Sequence, residues 1–123
     1  EIAIKFFEAL SSGSESYLDF YNDNSIIWTA GNNAIGGTRT KKEIIEFAQD
    51  ILSAFPTGIK FNITGTTAEN ERVAVEVQGE AIHASGELYN NHYHFLLRIK
   101  NGKIIELKEY MDTQLAAKIL LGE

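Results

Sequence analysis

From residue 59 onward the chain alternates apolar and polar side chains, and this pattern limits the possible folds more than any other feature. Three segments before residue 100 show the alternation. Their apolar members are Ile59, Phe61 and Ile63, then Val73, Val75 and Val77, then Tyr93, Phe95, Leu97 and Ile99. The pair Asn101-Gly102 follows as a strong hairpin-turn signal, and a fourth alternating segment comes after it. A period of two is typical of strands with one buried face, so the pattern predicts an antiparallel sheet packed on a core.

The first half of the chain predicts helices instead. Apolar spacing indicates a helix at residues 2–10, and Ser14 can cap a short second one. Thr40 can cap a longer amphipathic helix, in which Glu43 completes a capping box. The other predicted elements are a short strand at residues 25–31 and a C-terminal helix at residues 113–122. This order predicts a single α+β domain, residues 1–123, with helices on one face of a strongly curved, mostly antiparallel sheet.

Composition excludes several classes of function. The net charge is −6 and the 11 Lys and Arg residues are scattered, so the chain lacks the basic stripe of a nucleic-acid or membrane-surface binder. A negative field favours a neutral, fairly apolar small molecule over an anionic one. The chain has no cysteine, which excludes disulfides, thiol catalysis and thiolate metal sites. No signal peptide or membrane-spanning run is visible, so we expect a cytoplasmic protein, although the start at Glu1 leaves a removed leader open.

An acidic residue interrupts the core-facing row of the last predicted strand. That row reads Ile105, Leu107, Glu109, Met111. Burying an unpaired carboxylate costs several kcal/mol, so such a position suggests a function. His83 has core-facing parity on another strand. We hypothesise that the two side chains converge on one cavity, where Glu109 serves as catalytic base and His83 assists.

Structural explanations of both residues remain open at this stage. Glu109 could form an ion pair with Arg98 or Lys108, and His83 could be a hydrogen-bonded scaffold residue. A bulge near Gly79 would also turn His83 to the opposite face of the sheet.

Two further histidines form an H-x-H pair on the polar face. His92 and His94 could bind a metal ion, but no third ligand is evident, so a solvated or subunit-facing surface is the preferred interpretation. We therefore expect neither a metal nor another cofactor.

Two stretches, "SIIWTAGNNAIGGT" and "SGELYNNHYHFLLRIKNGKIIELKEYMDT", flank the amphipathic helix. Together they resemble the SnoaL-like polyketide cyclase family, within the ketosteroid-isomerase and nuclear-transport-factor-2-like superfamily. The resemblance implies a cone-shaped α+β barrel with a deep apolar cavity, and a homodimer formed through the outer face of the sheet. The cavity-wall residues it implies are Phe6, Tyr17, Tyr21, Thr29, Phe47, Phe55, Phe61, Tyr93, Phe95 and Met111. Trp28 alternates with Ile27 and Thr29 along its strand, so its side chain is expected on the opposite face of the sheet, toward the dimer interface and away from the cavity.

Relatives of known chemistry match only in part. The oxyanion-hole tyrosine of the ketosteroid isomerases corresponds to Phe6 and their base to Thr29, which disfavours dienol isomerisation. The limonene-epoxide hydrolases have an acid at the position of Glu109, but their arginine and second acid correspond to Ala81 and His83. Epoxide hydrolysis by that machinery is therefore disfavoured as well.

SnoaL-type cyclases require less: an acidic residue in an apolar pocket that removes a carbon-bound proton, and walls that hold the substrate folded. The resemblance therefore predicts a cofactor-free isomerase, lyase or cyclase acting on a modest-sized hydrophobic substrate. The alternatives are a non-catalytic ligand carrier or sensor and a purely structural dimerisation module.

Overall fold

The computed structural model describes residues 1–123 and has an α+β fold. The helices are α1 (Ile2–Ser12), α2 (Lys41–Leu52) and α3 (Thr113–Leu120), and a 3₁₀ helix spans Glu15–Phe20. The strands are β1 (Tyr21–Thr29), β2 (Gly37–Thr40), β3 (Ile59–Glu69), β4 (Arg72–Ala81), β5 (His92–Lys100) and β6 (Lys103–Met111). The predicted helices and the alternating strands are confirmed. The short β2 before α2 was not predicted.

All six strands form one sheet in the order β2-β1-β6-β5-β4-β3. Every neighbouring pair is antiparallel except β1 and β6, which run parallel and bring the first and last strands together. The predicted mostly antiparallel sheet is thus confirmed. The sheet stays open, because β2 and β3 are its two edges and do not pair with each other.

A β-bulge in β6 corrects one part of the predicted core row. Arg98 on β5 pairs with Glu106, whereas the next residue, Ile99, pairs with Ile104, so β6 has one extra residue at position 105. Ile104 is therefore the fully buried residue at the start of this strand, and the prediction that Ile105 faces the core is wrong. Beyond the bulge the predicted parity holds for Glu109.

The main core lies between the helices and the inner face of the sheet. Phe6 and Phe7 of α1 are almost fully buried there, and Phe7 packs on the Phe95 ring with centroids 4.7 Å apart. Helix α2 closes the other side, and its N-terminus has the predicted capping box, in which Thr40 and Glu43 each accept a hydrogen bond from the other's backbone amide.

A second cluster of buried side chains, including Phe55, Ile59 and Tyr89, packs against α3.

Gly79 allows the Tyr93 ring to lie against β4. A Cβ at Gly79 would come within 2.9 Å of that ring and 3.2 Å of the Asn91 carbonyl oxygen. No side chain fits at this position, so only glycine is compatible with it. The absence of a side chain lets the Tyr93 ring point toward the interior.

Candidate active site

Two small cavities lie side by side between α2 and the inner face of the sheet. The larger measures about 120 Å³ and the smaller about 80 Å³. Both are lined almost entirely by apolar side chains, and Glu109 lines both. For comparison, an apolar cavity of about 150 Å³ can hold benzene. The available space is therefore suited to a compact molecule of about one ring.

Most of the predicted wall residues lie around these cavities. The larger one is lined by Phe6, Tyr17, Tyr21, Phe47, Phe61 and Phe95, and the smaller one by Phe47, Phe61, Tyr93 and Met111. Thr29 is 1% exposed and contacts Glu109 directly. Phe55 lines neither cavity, since it packs in the second core cluster.

Glu109 is positioned by the parallel pairing of β6 with β1. That register sets Glu109 beside Thr29, whose Oγ1 donates a hydrogen bond to Glu109 Oε1 over 3.3 Å. The ion pair considered with Arg98 does not form, because Arg98 instead lies 3.9 Å from Glu106 on the outer face. Lys108 makes no ion pair with Glu109 either.

The pKa of Glu109 is raised from 4.5 to about 7. Burial is the largest cause, because an apolar surrounding disfavours the charged carboxylate. The hydrogen bond from Thr29 and the positive charge of Arg39 act in the opposite direction and limit the rise. Glu109 is therefore poised to exchange a proton near neutral pH, which suits a general base.

Arg39 was not recognised in the sequence as part of this site. Its guanidinium carbon lies 3.6 Å from the centroid of the Phe47 ring, and its Nη1 donates a hydrogen bond of 2.7 Å to the Ile35 carbonyl oxygen. Pairing of Arg39 with Ile27 gives it the inner-face parity of β1. Strand β2 has only four residues, too few for alternation to reveal which way Arg39 faces.

A hydrogen-bonded group at the end of β6 was also missed. The Asn91 side chain donates to the Tyr89 hydroxyl and to the Asp112 carbonyl oxygen, both over 3.1 Å, and accepts from the Asp112 amide over 3.0 Å. Tyr89 lines the smaller cavity, and burial raises its pKa. Asn91 thus fixes the junction of β6 and α3 beside that cavity.

The structure does not bring His83 to Glu109. Strand β4 ends at Ala81, and His83 lies in the following turn, where its Nδ1 accepts a hydrogen bond from the Ser85 amide over 3.1 Å. Its ring packs edge-on against Phe55, with centroids 5.5 Å apart. His83 lines neither cavity. The parity argument fails to bring the two groups together because the strand stops two residues before His83.

Trp28 lies on the opposite face of the sheet, as its parity indicates. It packs edge-on against Tyr110, with ring centroids 5.2 Å apart. Tyr110 in turn lies edge-on to the His94 ring, with centroids 6.4 Å apart.

No three or more His, Cys, Asp or Glu side chains are grouped so that they could hold a metal ion. None of the helices has the length and apolar character needed to cross a bilayer.

Comparison with known proteins identifies the family of this chain and finds solved structures with the same fold. The model of the SnoaL-like domain family matches residues 3–107, so the chain belongs to this family. No curated protein sequence matches the chain significantly.

Solved structures support the fold. A nuclear-transport-factor-2-like protein from Anabaena variabilis is 23% identical, with a TM-score of 0.79 over 90% of this chain and 87% of that one. IdmH from Streptomyces antibioticus, a proposed polyketide cyclase, is 18% identical, with a TM-score of 0.81 over 99% and 96%. TerC, crystallised with polyporic acid, is 15% identical, with a TM-score of 0.84 over 98% and 95%. At these identities the likeness establishes the shared fold alone.

Proposed function

We propose that this protein is a cofactor-free enzyme of isomerase, lyase or cyclase type, in which Glu109 removes a carbon-bound proton from a compact hydrophobic substrate. One observation carries the proposal: a single carboxyl group lies in otherwise apolar cavities, with its pKa raised to about 7. Membership of the SnoaL-like family supports a role in binding small molecules. Two proteins of this fold are consistent with such a role: TerC has been co-crystallised with polyporic acid, and IdmH is a proposed polyketide cyclase.

The residues around Glu109 account for its reactivity. At pH 7 a substantial fraction of Glu109 is ionised and can accept a proton. The conjugate acid is then stable enough in the apolar surrounding to return that proton to another atom. Thr29 holds one carboxylate oxygen through its hydrogen bond and leaves the other free to meet the substrate. The aromatic walls exclude water and orient the reacting carbon, which contributes through proximity.

Proton abstraction can be tested without knowing the natural substrate. The probe is cyclohexanone, a neutral ketone with a single ring and with exchangeable hydrogens next to its carbonyl. Its uptake of deuterium in D₂O is followed by NMR with and without protein. We expect the wild type to accelerate exchange and Glu109→Gln to lower the rate by about 10²- to 10⁴-fold, the range for loss of a general base.

A matched control is available on the same strand. Glu106 also carries a carboxylate on β6 but faces outward toward Arg98, so Glu106→Gln should retain the wild-type rate. Equal exchange by wild type and Glu109→Gln would contradict the proposal. Binding of cyclohexanone without any acceleration of exchange would instead favour the non-catalytic ligand-binding module.

We also propose that the protein forms a homodimer through the outer face of the sheet. Trp28 and Tyr110 form an aromatic patch there, and Tyr110 is 40% exposed although it is a large, partly apolar side chain. Aromatic side chains of this kind are enriched in protein interfaces. The cytoplasmic location expected from the sequence stays a prediction.

A further inference from the structure

An external groove lies directly behind the wall of the larger cavity. It measures about 350 Å³ and is bounded by the end of α1, the 3₁₀ helix and α2. We call it the α1–α2 groove. Its exposed rim is polar and consists of Ser14, Glu15, Gln49 and Ser53, whereas the side chains deeper in the groove are mostly apolar. The proposed function makes no use of this groove.

The groove and the larger cavity share part of their walls. Four side chains line both of them: Leu10, Tyr17, Ala48 and Leu52. One layer of side chains therefore lies between the outside of the molecule and the cavity that contains Glu109. Ala48 contributes only a methyl group to this layer, so the three larger side chains close it.

One of these three side chains belongs to the least regular element of the wall. Leu10 and Leu52 lie in α-helices, whereas Tyr17 lies in the 3₁₀ helix Glu15–Phe20. Hydrogen-bond geometry is poorer in a 3₁₀ helix than in an α-helix, and runs of more than about four residues are uncommon. Elements of this kind open locally at a lower free-energy cost than the core of a domain.

The connections of the 3₁₀ helix allow its first half to move. It follows Gly13, which has a left-handed φ of +74° and ends α1. Its second half is tethered, because Lys103 Nζ donates a hydrogen bond to the Asp19 carbonyl oxygen. Tyr17 lies in the half without this tether. The Tyr17 ring is 8% exposed and lies edge-on to Phe6, with centroids 6.4 Å apart.

The smaller cavity has no comparable opening. Its wall includes Leu120 of α3 and Ile35 of the loop between β1 and β2. The start of α3 is fixed by Asp112, whose carboxylate accepts hydrogen bonds from two backbone amides over 3.1 Å each. The Ile35 carbonyl oxygen accepts a hydrogen bond of 2.7 Å from Arg39. Side-chain hydrogen bonds therefore hold this part of the site closed, whereas ring packing holds Tyr17.

We propose that the α1–α2 groove is the way into the larger cavity, and that Tyr17 is a specificity-determining side chain that must move aside to admit a molecule. This inference rests on the proposed function, because it concerns access to the site of that reaction.

The groove selects molecules before they reach Glu109. Glu15 is the only charged residue that lines it, and the net charge of the chain is −6, so an anionic molecule is disfavoured here. A molecule must also be narrow enough to pass between Leu10 and Leu52, which are held in α-helices. The class admitted is therefore an uncharged, compact and mainly apolar molecule.

The route is tested by blocking the groove at one engineered cysteine, because the chain has no cysteine of its own. Gln49 is exposed on α2 and lines the groove but neither cavity. Glu46 is exposed on the same helix and does not line the groove, so Glu46→Cys is the matched control for Gln49→Cys. Both variants are labelled with fluorescein maleimide. The association and dissociation rate constants of cyclohexanone are then measured from NMR line shapes.

The label on Gln49→Cys should lower both rate constants by about tenfold or more and leave the dissociation constant unchanged. A barrier on the path slows entry and exit equally, because it raises the transition state without altering either end state. The label on Glu46→Cys should leave both rate constants at the wild-type values.

A second variant acts in the opposite direction. Leu18 is a half-buried residue of the 3₁₀ helix that lines the groove but not the larger cavity. Leu18→Ala removes part of the packing that holds this helix in place, so both rate constants should rise several-fold at an unchanged dissociation constant. Rate constants that do not rise would exclude the 3₁₀ helix as the moving part and overturn the role of Tyr17.

The remaining outcomes separate the route from the chemistry. Equal rate constants in the two labelled proteins would overturn the inference, and so would a wild type that does not take up cyclohexanone. A label on Gln49→Cys that weakened binding without slowing entry would also overturn it. Slow entry in labelled Gln49→Cys, together with equal deuterium exchange by wild type and Glu109→Gln, would refute the proposed function and leave the route standing. Catalysed exchange with unchanged rates of entry would refute only the route.

Discussion

At the scale of single residues, the most informative one is the acid on the inner face of β6. Glu109 could be recognised from the sequence because one carboxylate interrupts an apolar row with a period of two. Its hydrogen bond to Thr29 could not be predicted, because it depends on the parallel pairing of strands that lie about 80 residues apart in the chain. His83 shows the limit of parity, since alternation does not reveal where a strand ends.

The raised pKa of Glu109 has a consequence for stability. Between pH 4.5 and about 7 the folded state holds a proton that the unfolded chain has already released. The free energy of unfolding therefore falls as pH rises through this window and levels off above it. Integrated over the window, the loss amounts to roughly 3 kcal/mol as an upper limit.

Replacing Glu109 by Gln should remove that loss. We expect the variant to be more stable than wild type at pH 8 by roughly 2 kcal/mol and to show a flatter dependence between pH 5 and 7. The other groups that face Glu109 should not change charge in this range, because Arg39 stays protonated and the pKa values of Tyr21 and Tyr93 are raised. Urea unfolding at several pH values provides the measurement, and identical slopes for both proteins would contradict the prediction.

At the scale of elements, alternation and capping signals predicted the strands β3 to β6 and the start of α2. The bulge in β6 was not predictable, because the sequence around Ile104 and Ile105 offers two adjacent apolar residues and only the pairing with β5 decides which one is buried. Strand β2 was not predicted because it has only four residues, Gly37–Thr40, and the last of them is also the cap of α2. Four residues are too few to show an alternation of apolar and polar side chains.

The cap of α2 supports the wall that this helix contributes to both cavities. Thr40→Ala removes the side chain that accepts from the Glu43 amide over 3.2 Å, so we expect a loss of about 1 kcal/mol in unfolding free energy. Thr38→Ala, in the same short strand but without a capping bond, is the control and should change stability by less than about 0.5 kcal/mol. Equal losses in the two variants would contradict a specific capping role.

At the scale of the whole molecule, the two faces of the sheet differ in what they carry. Its inner face and the helices form the apolar cavities around Glu109, while its outer face carries the aromatic patch of Trp28 and Tyr110. The family resemblance predicted this division, and the fold could be recognised because the resemblance extends over nearly the whole chain. Cavity size could not be predicted, because it depends on how closely α2 packs against the sheet.

The proposed dimer can be tested by disrupting this patch. Trp28→Asp places a charge at the centre of the outer face and should shift the protein from dimer to monomer in sedimentation velocity, because burying an unpaired charge in an interface is costly. Ile4→Asp alters a side chain that is 45% exposed on α1 and should leave the dimer intact. A monomeric wild type, or a Trp28→Asp variant that stays dimeric, would contradict this interface.

The proposed chemistry depends on the protonation of Glu109, and the most direct measurement is the NMR titration of ¹³C-labelled glutamate carboxyl groups. The signal of Glu109 is identified as the one missing from Glu109→Gln. We predict a midpoint near pH 7 for this signal, because burial raises the pKa of the Glu109 carboxyl group. A midpoint near 4.5 would mean that the carboxyl group is solvated like any surface acid, and Glu109 would not be a base tuned by its surroundings.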